Sequence, residues 1–247
     1  MTKYARRKAL VVGEATDIGL AIAKRLVEGG ASVLLTARTE AERAHAVAEL
    51  GSAARVVPPS AVEAALTGAP GPAGADTNDP TGLGDGPTGT TRLGDGSTGP
   101  TGLVHDPTGA AGAIDPTGLT STTSPTGTTG TSPTGPTTVG LLFADAIPTA
   151  RPLLPYVEDG GAVVLTAPTP CPDAVRALAD ELAARGIRVN AVAPGCIEAP
   201  GSGAVPLPPL GRLGAAEEVA RAALFLATEA TFTTGARLPV DGGLGHP

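Results

Sequence analysis

Short apolar runs alternate with amphipathic helical stretches at both ends of this chain, and that alternation is what most narrows its fold. Ala9-Leu10-Val11-Val12 has the length and composition of a strand buried on both faces. A glycine-bearing turn follows, then a helix with Ile18, Ile22 and Leu26 on one face, stopped by Gly29-Gly30. Ser32 to Thr36 reads as a second strand, Ala41 to Leu50 as a second helix, and Arg55-Val56-Val57 as the start of a third strand. The pattern returns from Val139. Leu141 to Leu154 is expected as an apolar helix that Pro148 and Pro152 bend or end. Ala162 to Thr166 is a strand, Asp173 to Arg185 a helix, and Ile187 to Ala193 a strand. Ala215 to Ala227 is a helix and Ala236 to Val240 a last strand. Such alternation predicts an α/β domain, a doubly wound parallel sheet covered on both faces.

The middle of the chain does not fit the pattern. Between residues 68 and 138, Pro-Thr-Gly tetrads begin at Asp79, Gly86, Gly99, Asp106, Asp115, Ser124 and Ser132. The spacing is neither a triplet nor a constant longer period, which excludes collagen and weighs against a solenoid. Proline and glycine make each tetrad a turn former. With so few large apolar residues the segment cannot offset its ordering entropy by burial, and it reads as low-complexity and mostly mobile. The organisation expected is therefore one domain over 1–247. A βαβ half spans 8–67, the low-complexity segment 68–138, and a C-terminal half 139–247. Only Leu103-Val104, inside the segment, offers a fourth strand, which the sheet needs between the first and fifth.

Composition excludes some functions. A net charge of −7 gives no footprint for nucleic acid or an anionic membrane. The apolar run after the basic start is too short for a membrane span. Two cysteines, Cys171 and Cys196, fit a reducing compartment, so a soluble cytoplasmic protein is expected. Neither has a basic group nearby in sequence, and Cys196 is expected to pack as a small apolar residue. No set of residues has metal-ligand spacing.

Gly186 to Gly195 (Gly-Ile-Arg-Val-Asn-Ala-Val-Ala-Pro-Gly) and Val240-Asp241-Gly242-Gly243 resemble the second half of a short-chain dehydrogenase/reductase. The likeness is closest to the 3-oxoacyl-carrier-protein-reductase-like members and spans about 8–57 and 139–245. The turn Val12-Gly13-Glu14-Ala15-Thr16-Asp17-Ile18-Gly19 is similar to that family's Thr-Gly-x-x-x-Gly-Ile-Gly, with Asp17 at the middle glycine. The resemblance implies cofactor-binding positions at Gly13, Asp17, Ile18, Gly19, Arg38, Pro194, Gly195 and Ile197. Asp17 either caps a helix inherited from a cofactor-binding ancestor or competes with the pyrophosphate for the same N–H groups, leaving binding weakened. Arg38 stands where relatives carry a basic residue for a 2′-phosphate, which favours weak NADP(H) over NAD(H) binding; the alternative is a solvated loop arginine. The strand implied by the family's Asn-Asn-Ala-Gly places His105 and Asp106 at the asparagines.

The family's catalysis uses a Tyr-x-x-x-Lys pair and a serine. No lysine follows Lys24, and the tyrosines are Tyr4 and Tyr156 alone. Alignment puts the serine at Pro168 and the helix-4 asparagine at Thr137, so no catalytic residue is assigned. Tyr156, beside Glu158 and Asp159, is expected in packing or at the surface. The leading expectation is a catalytically impaired homologue acting by association. It would form a homodimer through the last helix and strand, or a heteromer with an active relative. The rivals are an active NADP(H)-dependent carbonyl or 3-oxoacyl reductase with displaced acid–base groups, and a decayed chain.

Overall fold

The computed structural model describes residues 3–13, 17–68, 137–167, 170–198 and 206–245. All of them belong to one compact unit formed by Met1–Ala73 and Pro133–Pro247. Among the described residues, seven parallel strands make its sheet: β1 (Lys8–Val12), β2 (Ser32–Thr36), β3 (Ala54–Val57), β4 (Val139–Ala144), β5 (Val157–Leu165), β6 (Arg188–Pro194) and β7 (Arg237–Val240), in the spatial order β3-β2-β1-β4-β5-β6-β7. The order reverses between β1 and β4, where ligands bind at the carboxyl ends of strands in doubly wound sheets.

Six helices among the described residues cover the two faces: α1 (Asp17–Glu28), α2 (Glu40–Leu50), α3 (Val62–Thr67), α4 (Ile147–Ala150), α5 (Pro172–Leu182) and α6 (Ala216–Thr228). Successive side chains of a strand point to opposite faces, so each buried strand feeds two cores. Ala9, Val11, Leu141 and Phe143 pack with Ile22 and Leu26 of α1 and Val219 and Ala223 of α6. Leu10, Val12, Leu142 and Ala144 pack with Val62 and Leu66 of α3 and Val175 and Leu178 of α5. Burial of each large apolar side chain contributes about 1.5–3 kcal/mol.

Three expectations are corrected here. Leu141 to Ala144, read as the start of a helix running to Leu154, belongs to the strand β4, in register with β1 from Ala9↔Leu141 to Val12↔Ala144. A short apolar run buried on both faces has the same hydrophobic pattern as a buried helix, so periodicity alone could not separate them. Pro148, Pro152 and Pro155 then limit the helical residues after β4 to the single turn of α4 and a 3-10 stretch, Arg151–Tyr156. β4 also fills the place between β1 and β5 for which Leu103-Val104 was the candidate; those two residues, with the Pro-Thr-Gly tetrads, lie outside the described residues. Thr137, aligned with a helix-4 asparagine, instead precedes β4, and its N–H donates to the Leu66 carbonyl over 2.5 Å. That places it at the amino-terminal edge of the sheet, away from the groove.

The resemblance-bearing motifs turn out to lock the carboxyl edge of the sheet. Gly195 N–H donates to the Val240 carbonyl at 3.0 Å, and a Cβ on Gly195 would lie 2.6 Å from the Asp241 Cα. Only glycine admits so close a backbone approach. Asp241 then accepts N–H bonds from Gly243 (2.9 Å) and Gly245 (3.1 Å), closing the chain into a turn. Asn190, 1% exposed, donates to the Thr233 carbonyl at 2.8 Å and accepts from Ala236 N–H at 3.0 Å. It fastens β6 to the connection before β7, a buried polar group with both ends satisfied.

Candidate functional site

Two adjoining cavities lie along the carboxyl ends of the strands. The first, about 530 Å³, includes Arg38, Pro59, Ser60, Glu63 and Thr149 in its wall. The second, about 550 Å³, includes Ile18, Gly19, Thr166, Ala167, Pro194, Gly195 and Ile197. Val12, Gly13, Thr36 and Asp145 belong to both walls and form the waist of one continuous groove.

Local sequence explains how the wall is held. Gly13 leaves β1 with φ +124°, a conformation that side chains rarely adopt. The buried Thr36 hydroxyl at the end of β2 accepts from Gly13 N–H and donates to the Gly13 carbonyl, both at 3.3 Å. Arg38 sits in the turn into α2. Its N–H donates to Glu42 Oε2 at 2.9 Å, while Thr39 caps the helix by accepting from Glu42 N–H at 3.1 Å. Thr39 and Glu42 form a capping box, which fixes where Arg38 leaves the sheet. Ile18 and Ile197 pack against the α1/α6 core, so they serve the fold as well as the groove.

Beyond Ile197, the segment between β6 and α6 is tied back on itself and lines a separate cavity. Gly214 N–H donates to the Cys196 carbonyl (3.0 Å) and Glu198 N–H to the Gly214 carbonyl (2.8 Å). Arg212 holds Glu218 through two bonds of 2.8 Å, and Glu218 reaches back to Ala215 N–H at 2.9 Å. These contacts, the arginine first, bring the Glu218 carboxyl down to a pKa of about 2.

Of the eight positions expected to meet a cofactor, Gly13, Ile18, Gly19, Arg38, Pro194, Gly195 and Ile197 line the groove. Asp17 does not: it is the first residue of α1 rather than the cap before it, and its side chain is exposed. His105, Asp106 and Pro168 lie outside the described residues. Tyr156 precedes β5 at the far edge of the sheet, packed in part against the α3/α5 core. Cys171 is exposed and Cys196 partly buried. Among the described residues no group of His, Cys, Asp and Glu could hold a metal ion, and no helix is long and apolar enough to cross a membrane.

Sequence reasoning missed Thr36, Thr166 and Asp145. Thr166 N–H donates to the Ala144 carbonyl at 2.8 Å, joining the carboxyl ends of β4 and β5. Asp145, the first residue after β4, presses its side chain onto Gly13: a Cβ there would lie 2.6 Å from the Asp145 Cγ. Reading Val139–Ala144 as a strand was the one signal that would have placed Asp145 at the switch point. The position given to His105-Asp106 through the family's Asn-Asn-Ala-Gly is taken by Ala144-Asp145-Ala146.

A doubly wound parallel sheet, a glycine after its first strand and a groove across the reversal of strand order define an α/β domain of Rossmann type. Residues 7–65 match the family model described as short chain dehydrogenase, and residues 171–245 the one described as Enoyl-(Acyl carrier protein) reductase. The chain belongs to the short-chain dehydrogenase/reductase family. It is 50% identical over 76 residues to the 3-oxoacyl-[acyl-carrier-protein] reductase FabG of Thermotoga maritima, a stretch covering 27% of this chain and 31% of that protein. The L-fucose dehydrogenase of Bos taurus is 43% identical over 105 residues, 36% of each chain. These matches span about a third of the curated relatives' length.

Solved structures share the fold. The short-chain dehydrogenase/reductase from Serratia marcescens BCRC 10948 superposes with a TM-score of 0.59 at 17% identity, covering 98% of each chain. A short chain oxidoreductase from Pseudomonas aeruginosa PAO1, described as containing an atypical catalytic center, does so at 0.61 and 19%, covering 99% of each.

Proposed function

We propose that this protein is a catalytically impaired member of the family that retains weak NADP(H) binding and acts through association. The observation that carries the reading is a groove whose walls persist without the acid–base groups the family's chemistry needs. Gly13, Gly19, Pro194, Gly195 and Ile197 line it and Arg38 stands at one end. No lysine follows Lys24, which lies on α1 and pairs with Glu49 at 3.1 Å. The residues fit a bound dinucleotide at the two ends of the groove and oppose it at the waist, where a carboxylate stands. When bound, the nicotinamide group would supply hydride chemistry. This chain's own contribution is the wall, the Arg38 cation toward a phosphate, and apolar cover from Ile18 and Ile197.

Association is supported by the exposed Phe225 on α6 and the fully exposed Phe232 in the connection to β7. Exposed aromatic side chains there favour a second copy of the chain, or an active relative, over the last helix and strand. The shortened α4 leaves little of the alternative interface through helices 4 and 5.

Titration calorimetry with NADPH and NADH, beside an assay of NADPH oxidation with simple ketones, tests the reading. Weak NADPH binding, weaker NADH binding and no turnover are expected; sustained NADPH oxidation would remove the claim of impaired catalysis. One observation favours the rival, an active reductase with displaced groups: Asp145 and Thr166 place two polar side chains in the second cavity. In that case Asp145→Asn abolishes the turnover.

A further inference from the structure

We propose that the cavity between α1, α6 and the chain leading into β1 binds a small organic oxyanion, a phosphate or carboxylate head carried on an apolar body. Tyr4, before β1, and Gly29, before β2, both line it, so it lies at the amino-terminal edge of the sheet, opposite the strand ends that build the groove. At about 560 Å³ it falls within the range of roughly 300–1,000 Å³ usual for small-ligand sites. Its wall is firmly built. Tyr4 N–H donates to the Gly29 carbonyl at 2.7 Å, and Gly29 admits the Tyr4 ring because a Cβ there would collide with it. Leu224 and the half-exposed Phe225 add apolar surface from α6.

The polar lining is unbalanced toward positive charge. Lys3 and Glu229 satisfy each other at 2.6 Å. Arg25 on α1 and Arg221 on α6 line the same cavity, and among the described residues their side chains make no hydrogen bond or ion pair. Glu218, one turn before Arg221, is held instead by Arg212 through two bonds of 2.8 Å. Glu28 is then the one lining carboxylate left against two guanidinium groups. The Nε of Arg25 is buried without a partner. Buried polar groups are nearly always paired, so an orphan on one of two unpaired arginines singles out this wall. Guanidinium N–H groups form a fixed fork that matches carboxylate and phosphate oxygens, and the terminal nitrogens are the ones a ligand meets. The aromatic and aliphatic surface beside them favours an anion with an apolar body over a bare one.

The test is calorimetry on the whole chain with phenyl phosphate as probe, inorganic phosphate as the bare anion and benzyl alcohol as a neutral counterpart. Wild type is compared with Arg25→Gln and Arg221→Gln, with melting curves to show that the variants fold. Arg221 is exposed, so its variant decides alone should Arg25→Gln unsettle α1. Phenyl phosphate is expected to bind the wild type more tightly than either control. Each variant should weaken it at least about tenfold, since each removes a charge-assisted hydrogen bond. No binding to the wild type, or equal binding to Arg221→Gln, overturns the site. Benzyl alcohol binding as tightly as phenyl phosphate overturns it too, because the arginines would then recognise nothing. Any affinity for NADPH is expected to be the same in wild type and variants; its loss in Arg221→Gln would carry the effect to the groove and overturn a separate site.

Discussion

Gly195 carries a structural duty that sequence resemblance had credited to cofactor contact. Its Cα hydrogen faces the Asp241 backbone, and the missing Cβ is what lets β6 and the turn after β7 close on each other. Gly195→Ala is expected to destabilise the fold by about 2 kcal/mol, because the new methyl must push a hydrogen-bonded backbone aside. Gly68→Ala is the comparison: nothing lies within 4 Å of its Cβ position, so only the strain of φ +69° is felt, about 1 kcal/mol. Urea denaturation of both variants measures the difference, and equal losses would show that contact with Asp241 is not what the glycine serves. Asn190 teaches the same lesson: in the sequence it is one letter of a family motif, in the structure a clamp on two backbone groups.

At the scale of elements, α6 is gripped at both ends, and this explains why its bounds were legible. Three carbonyls at and just beyond its carboxyl end, those of Leu226, Ala227 and Ala230, accept bonds of 2.6–2.9 Å from Arg188. That cation is well placed against the helix dipole. Its first turn carries Glu217 and Glu218, the acidic start that marks a helix in sequence. The carboxyl of Glu218 titrates near 2 in the folded protein against an ordinary 4.5. A lowered folded pKa gives stability that is complete above about 4.5 and disappears as pH falls toward 2, when the folded state also takes the proton. Glu218→Gln should therefore flatten the fall in urea midpoint between those pH values. A variant falling as steeply as the wild type would assign acid sensitivity to other carboxylates. β4 was not legible for the opposite reason. It has no polar–apolar alternation, since both of its faces are buried. With it went Asp145, whose place at the switch point depends on the strand being there. The glycine turn, Arg38 and the Pro194-Gly195 wall were readable because short motifs fix them; the waist was not, because it exists only when β1 and β4 lie side by side.

For the molecule as a whole, the question is how much of the chain the sheet needs. The α3 carbonyl of Leu66 and the N–H of Thr137 are hydrogen-bonded, so the sheet-forming parts on either side of residues 69–136 end beside each other. Among the described residues, the core clusters on both faces of the sheet are built from residues 4–66 and 139–240. We propose that residues 69–136 add length to the connection without adding to this core, as their composition suggests. The cost of closing a loop grows only with the logarithm of its length, so replacing about 70 residues with a glycine-serine linker of about four should stabilise the unit by about 2 kcal/mol. Equilibrium urea unfolding of the shortened chain is expected to show a midpoint at or above that of the full chain, with a similar slope. A stability lower by more than about 2 kcal/mol, or a markedly smaller slope, would mean that the segment buries surface against the sheet. Testing the shortened chain for NADPH binding as well would then separate support of the fold from support of the groove.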